Sequence, residues 1–273
     1  METDPFRIRG HVANFDAIVE EIVERSAATR DKLPMIADVP YGKGESETLD
    51  LFFPAGSPEN LPVHMFIHGG YWRMFSKRDY SYVADTITKA GAIAVIVDYA
   101  LMPRARMAVL VDQARRAKQW VLERITEYGG APSLLTISGH SAGAHLASFL
   151  FHREQANSNV NGAFLLGGLY DLSPLQGSFL QKEIALTREE VVDFTPLNHQ
   201  HDESCRAILA VGSNETPPFH AQLNAFAASL RQQGLPVSSK IIPGRNHMDS
   251  VRDLGIPGTD AGNILTRLIQ SSS

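Results

Sequence analysis

Gly139-His140-Ser141-Ala142-Gly143 sets one serine between two glycines, where an apolar run (Leu134, Leu135, Ile137) gives way to helical spacing (Leu146, Phe149, Leu150). The chemistry open to such a serine is nucleophilic. A free hydroxyl is a poor nucleophile at neutral pH and needs an adjacent base and an exposed position. A sharp strand-to-helix turn lifts the side chain off a sheet, and glycines two residues to each side keep neighbouring atoms away. This is the G-x-S-x-G nucleophile elbow, in the strand–turn–helix context that it requires. The competing reading is a small-residue turn that packs a helix closely on a strand.

An elbow implies partners in a set chain order: serine, then an acid, then histidine. Among the ten histidines, His247 in "IIPGRNHMDS" has the late position, just past Ile241-Ile242. After the preceding strand, "LAVGSNETPPF" offers Glu215 as the acid that orients the imidazole. Asp249 lies too close to His247 along the chain to reach the far ring nitrogen, and Asp171 follows a strand one earlier. A tetrahedral intermediate also needs donors for its oxyanion. The N–H of Ala142 is one, and "HMFIHGGYW" supplies a second loop in which Gly69 and Gly70 let the backbone turn its amides inward. Tyr71, Trp72 and His140 stand beside these elements as candidate pocket residues, with packing within the fold the equal alternative for Tyr71 and Trp72.

Other chemistries have less support. His64 and His68, or His140 and His145, invite a metal site, but no carboxylate or cysteine spacing accompanies them. No G-x-G-x-x-G loop is present, and "GHSAG" lacks the lysine of a phosphate-binding loop, so no cofactor is implied.

The elements that must position these residues alternate. Helical patterns cover Phe15 to Ala28, Lys77 to Ala90, Ala108 to Tyr128 (stopped by Gly129-Gly130), Phe219 to Gln233 and Ala261 to Ile269. Strand patterns cover Glu47 to Phe53, Pro62 to His68, Ala92 to Asp98, Gly162 to Gly168, Ala207 to Gly212 and Val237 to Ile242. Such alternation predicts an α/β domain with a mostly parallel central sheet and helices on both faces. Ligands then bind beyond the carboxyl ends of the strands. Leu169 to Arg206 breaks the pattern, and about forty structureless residues would be unusual in a compact domain. The stretch is therefore read as a small helical cap over the site, with a capping box at Thr187, inside a single domain spanning 1–273.

Composition agrees with an ordinary globular protein. Of 273 residues 44% are hydrophobic and 20% charged, the net charge is −5, and no basic stripe suggests nucleic acid. The only cysteine, Cys205, excludes an internal disulfide and a cysteine-based zinc site. The start, "METDPFRIRG", has no secretory pattern, and no apolar run approaches the ~20 residues of a membrane span, so a cytoplasmic location is expected. A homodimer is the default expectation for assembly.

"HGGYW", "GHSAGAHLA" and "GLYDLSPL" together resemble the arylformamidase (kynurenine formamidase) branch of the α/β-hydrolase superfamily, adjoining the hormone-sensitive-lipase-like esterases. The likeness runs from about Leu51 to Ser250. It implies the α/β-hydrolase fold, Ser141 as nucleophile, His247 as base and Glu215 at the acid position, where many relatives carry aspartate. It also implies hydrolysis of a small acyl amide such as N-formylkynurenine. A carboxylesterase for short-acyl or aryl esters would use the same machinery, and a hydrolase-like binding protein could retain it without turnover. A substrate with an amino-acid tail would need a cation for its carboxylate. Arg73, Lys77, Arg78, Arg104 and Arg106 all lie after strands, where they could meet a carboxylate, but the default reading of each is a solvated surface charge and none is singled out as a ligand.

Overall fold

The structure is a computed structural model and describes residues 4–56, 59–153 and 157–271. Among these, eight strands form one sheet in the order β1-β2-β4-β3-β5-β6-β7-β8. They are β1 (Met35–Pro40), β2 (Thr48–Phe52), β3 (Leu61–Ile67), β4 (Ile93–Val97), β5 (Gly130–His140), β6 (Gly162–Leu166), β7 (Arg206–Gly212) and β8 (Val237–Ile242). From β4 across to β8 every pairing is parallel, and β2 runs antiparallel to both β1 and β4. The central strands β4 and β6 are buried at every position, as expected for strands covered on both faces.

The covering helices are α1 (Phe15–Lys32), α2 (Ala84–Lys89), α3 (Met107–Arg124), α4 (Ala142–Ser148), α5 (Gln181–Ile184), α6 (Arg188–Asp193), α7 (Pro217–Gln232), α8 (His247–Leu254) and α9 (Asp260–Gln270). α3 buries Met107, Leu110, Val111, Ala114, Ala117 and Val121, the recurring face that its sequence spacing predicts. It continues as a 3-10 turn to Tyr128 and ends at Gly129, whose φ of 83° is the left-handed conformation glycine adopts without strain.

Three elements differ from the sequence reading. β1 was not foreseen: it is an edge strand in which only Val39 of six residues is buried, so its apolar residues do not follow a buried-strand pattern. The helix expected over Lys77 to Ala90 is instead a turn, a 3-10 segment Ser81–Val83 and the short α2. The cause is tertiary: Asp79 accepts from the Ser76 N–H at 2.8 Å, and Lys77 is drawn into a 2.5 Å ion pair with Asp38. α8 was not foreseen, and it begins at His247 itself. Its first turn is capped by Asn246, whose side chain accepts the N–H groups of Met248 and Asp249, both at 2.9 Å.

The expected cap segment is built of 3-10 turns at Ser173–Gly177 and Pro196–Asn198 with α5 and α6 between them. The capping box at Thr187 and Glu190 is formed, and Glu190 reaches beyond it to accept from Arg106 Nε at 3.0 Å. One carboxylate thus starts α6 and ties this segment to the head of α3. Among the described residues no helix is long and apolar enough to cross a membrane.

Candidate active site

β3 and β5 pair in parallel with Ile67 opposite Gly139, so the glycine loop after β3 and the serine corner after β5 emerge side by side. Ser141 has φ 54° and ψ −118°, a conformation that costs an L-residue about 1–3 kcal/mol. The surrounding backbone forces it. A Cβ on Gly143 would run into the carbonyl oxygens of Ile67 and His68, and one on Gly139 into the backbone of Gly143. The two glycines therefore serve close approach of strand, corner and helix. Ser141 N–H donates to Leu166 O at 2.8 Å, which pins the corner to β6.

The loop after β3 is more contorted. Gly70, Tyr71 and Trp72 have φ values of 105°, 54° and 59°, a left-handed turn closed by Arg73 N–H and Met74 N–H on Gly70 O. His68 Nδ1 lies 2.8 Å from Gly69 O, so Nδ1 carries the proton and fixes the plane of the Gly69–Gly70 peptide. The N–H of Gly70 meets no acceptor among the described residues, and Ala142, first residue of α4, has no intrahelical acceptor for its own. A Cβ on Gly69 would sit 3.4 Å from Ser141 Cβ, so the loop lies directly against the serine.

The other side of the site comes from β7 and β8, which end in register at Gly212 and Ile242. Glu215 Oε2 lies 2.6 Å from His247 Nδ1, while Oε1 accepts the Gly212 N–H at 2.8 Å. Both side chains are buried. With Nδ1 facing this carboxylate as the donor, Nε2 is the ring nitrogen left for a second partner. The pair must pass over the end of β6 to approach Ser141. Gly167 leaves the passage open, since a Cβ there would stand 3.0 Å from the His247 ring and 3.3 Å from Glu215 Oε2. Phe219 supports the imidazole from α7, ring centre to ring centre 4.6 Å. The rival acids are engaged elsewhere: Asp249 with Arg252 at 3.2 Å, Asp171 with the Ser173 N–H at 2.9 Å.

Ser141 and His247 line one pocket with Gly70, Tyr71, His140 and Phe75. Its free space is about 20 Å3, enough for little more than one water or a one-carbon acyl group. His140 Nε2 faces His247 O at 3.2 Å, and burial with the nearby His247 keeps the ring neutral by pulling its pKa well below the usual range. Trp72 is not on the pocket wall. It is fully buried, and its Nε1–H donates to His145 Nδ1 at 3.2 Å, because the left-handed turn directs the indole into the core. His145 Nε2 lies 2.8 Å from Phe194 O, so this chain of bonds links the glycine loop to the segment that follows α6.

The remaining histidines of the sequence reading are occupied by other bonds. His64 contacts Thr136 Oγ1 at 2.8 Å and Ser138 Oγ at 2.6 Å, and burial lowers its pKa to about 3. Cys205 is buried, which raises its thiol pKa.

Sequence reasoning missed the N-terminal segment. Ile8 and Phe15 help to close the pocket, and Tyr71 Oη donates to Phe6 O at 2.8 Å while accepting the Ile8 N–H at 2.9 Å. The signal was present in the spacing of Phe6, Ile8, Val12 and Phe15, all buried. Gly167 was also missed, although the doubled glycine ending "GAFLLGG" marked it.

Residues 64–249 match the family described as alpha/beta hydrolase fold. The chain is 30% identical to a kynurenine formamidase of Danio rerio, over 96% of this chain and 87% of that one. It is also 30% identical to the esterase LipQ of Mycobacterium tuberculosis, over 77% of this chain and 56% of that one. A crystal structure of a putative thioesterase from Silicibacter sp. TM1040 superposes with a TM-score of 0.85 at 21% identity, covering 98% of both chains.

Proposed function

This chain belongs to the alpha/beta-hydrolase fold family, and on that premise we propose that it is a serine hydrolase cleaving the formyl group from an N-formyl aryl amine. The observation that carries the reading is the buried 2.6 Å Glu215–His247 bond in the same pocket as the strained Ser141. His247 Nε2 takes the Ser141 Oγ proton as Oγ attacks the formyl carbon. The N–H groups of Gly70, with Gly69 beside it, and Ala142 form the oxyanion hole for the tetrahedral intermediate. The His247 imidazolium, stabilised by Glu215, then protonates the departing amine. Water, deprotonated by the same imidazole, releases formate from the acyl-enzyme.

Two observations favour a formamide. The small space at Ser141 suits a one-carbon acyl group, and the kynurenine formamidase relative matches nearly the whole length. The LipQ relative supports a second reading, a carboxylesterase for short acyl esters, which the same groups would serve. We place the reaction in the cytoplasm, with the lone, buried, unpaired Cys205 in keeping with that setting.

The deciding experiment is kcat/KM on N-formylkynurenine against p-nitrophenyl acetate, with Ser141→Ala as the blank. Preference for the formamide, despite its poorer leaving group, is the expected result. Turnover of the ester alone would move the protein to the esterases.

A further inference from the structure

Five cations follow the strands near the site, and the structure separates them. Arg73 pairs with Glu183 at 3.0 Å, Lys77 with Asp38 at 2.5 Å, Arg78 with Asp38 at 3.3 Å, and Arg106 with Glu190. Arg104 alone of the five has no acid partner among the described residues, and it is exposed. It lines a groove with Ser76, Asp98 and Leu101 whose free volume is about 460 Å3.

This groove adjoins the catalytic pocket. Phe75 is a wall of both, and its ring packs so closely on Gly70 that a Cβ there would come within 2.7 Å of Phe75 Cδ2. The groove thus begins where the glycine loop ends. The 20 Å3 pocket holds the acyl carbon and little else, so the leaving group must extend out of it. Asp98 lines the same groove: its Oδ1 accepts the Lys77 N–H at 3.4 Å and lies 3.4 Å from His68 Nε2, and its Oδ2 meets no donor among the described residues.

We infer that this groove recognises the α-amino-acid end of the leaving group, Arg104 taking the carboxylate and Asp98 the ammonium, with the aryl ring lying across Phe75. The inference rests on the aryl-formamide reading above and says which aryl amines the site selects. A guanidinium presents two parallel N–H donors that match a carboxylate, and one without an acid partner is free to do so. A carboxylate and a guanidinium facing one small groove complement a zwitterion, whereas a simple anilide or phenyl ester would leave both unused.

Binding tests this without any turnover. Calorimetry compares kynurenine with 2-aminoacetophenone, the same aryl ketone without its amino-acid tail, on the full chain and on Arg104→Ala and Arg104→Lys. Kynurenine is expected to bind ten- to a hundredfold more tightly, on the order of one or two charge-assisted hydrogen bonds. Arg104→Ala removes that advantage and leaves 2-aminoacetophenone unchanged, and Arg104→Lys keeps part of it. Equal affinity of the two ligands, no binding of kynurenine, or an Arg104→Ala effect common to both would overturn the inference. A protein that binds kynurenine through Arg104 but leaves N-formylkynurenine intact loses the formamidase reading and keeps the groove. One that cleaves N-formylkynurenine with Arg104→Ala unaffected keeps the reading and loses the groove.

Discussion

The two sides of the pocket are built by opposite means. On the serine side the backbone does the positioning: Gly70, Tyr71, Trp72, Phe75 and Ser141 all have positive φ, and Gly139 and Gly143 leave no space for a Cβ. On the histidine side positive φ falls only on glycines that carry no functional side chain, Gly167 and Gly244, and the functional groups are set by hydrogen bonds among Gly212, Glu215, Asn246 and His247. The difference follows from what each side must do. Oxyanion donors act best when they cannot reorganise, which favours amides locked into a strained frame. An imidazole that gains and loses a proton needs a partner that accommodates both states, and a carboxylate provides one.

Substitutions can break this contrast, and the largest effect belongs to the proposed nucleophile. Ser141→Ala should lower kcat by about 10^6. Ser141→Gly should be as inactive yet more stable by about 1 kcal/mol, because glycine occupies positive φ without strain. Thermal unfolding of the two variants checks the sign.

Next comes the acid. Glu215→Gln should cut kcat by up to about 10^4, since an amide neither favours the required tautomer nor balances the imidazolium. Glu215→Asp should lose about 10^2 through its shorter reach. Steady-state kinetics on both variants distinguishes a charge requirement from a length requirement.

Stability then contrasts two glycines. Gly143→Ala should cost at least about 4 kcal/mol or prevent folding, because its Cβ meets backbone oxygens that cannot move aside. Acid comes next. His64 and His145, both packed beneath the serine side, are held neutral by burial, with pKa values lowered to about 3 and about 4. The unfolded chain titrates them near 6.5, so below that pH it binds more protons than the native state. Stability should therefore fall as pH drops from 6.5 towards 4, on the order of 1 kcal/mol per pH unit for each histidine at most. Urea midpoints at pH 7, 6 and 5 read the slope, and a flat profile would contradict it. The smallest change is Gly244→Ala on the histidine side, where φ is +67° but nothing lies within 4 Å of a Cβ. It should cost only about 1–2 kcal/mol.

The same contrast governs what could be read from the sequence. A backbone frame that only glycine permits writes itself as Gly69-Gly70 and as Gly139 and Gly143 flanking Ser141, so that side was legible in detail. The histidine side depends on side chains whose types are common, and it was found through chain order. Even then α8, which holds His247, passed unread because "HMDSVRDL" is short and mostly polar. Trp72 takes the packing alternative for a related reason: a left-handed turn reverses the direction a side chain would take from an extended loop. β1 and the interrupted Lys77 to Ala90 segment depend on contacts distant in sequence, which local periodicity does not carry. The 3.4 Å approach of Asp98 to His68 and the lone Arg104 are likewise tertiary facts.

The central claim is that the strained serine is activated only through the unstrained pair opposite it. Its most direct test is the rate of covalent labelling by a fluorophosphonate, read by peptide mass spectrometry in the wild type, His247→Ala and Glu215→Gln. The account predicts one adduct, on Ser141, with a rate falling steeply in His247→Ala and less in Glu215→Gln. An adduct on another residue, or labelling of Ser141 at an undiminished rate without His247, would contradict it.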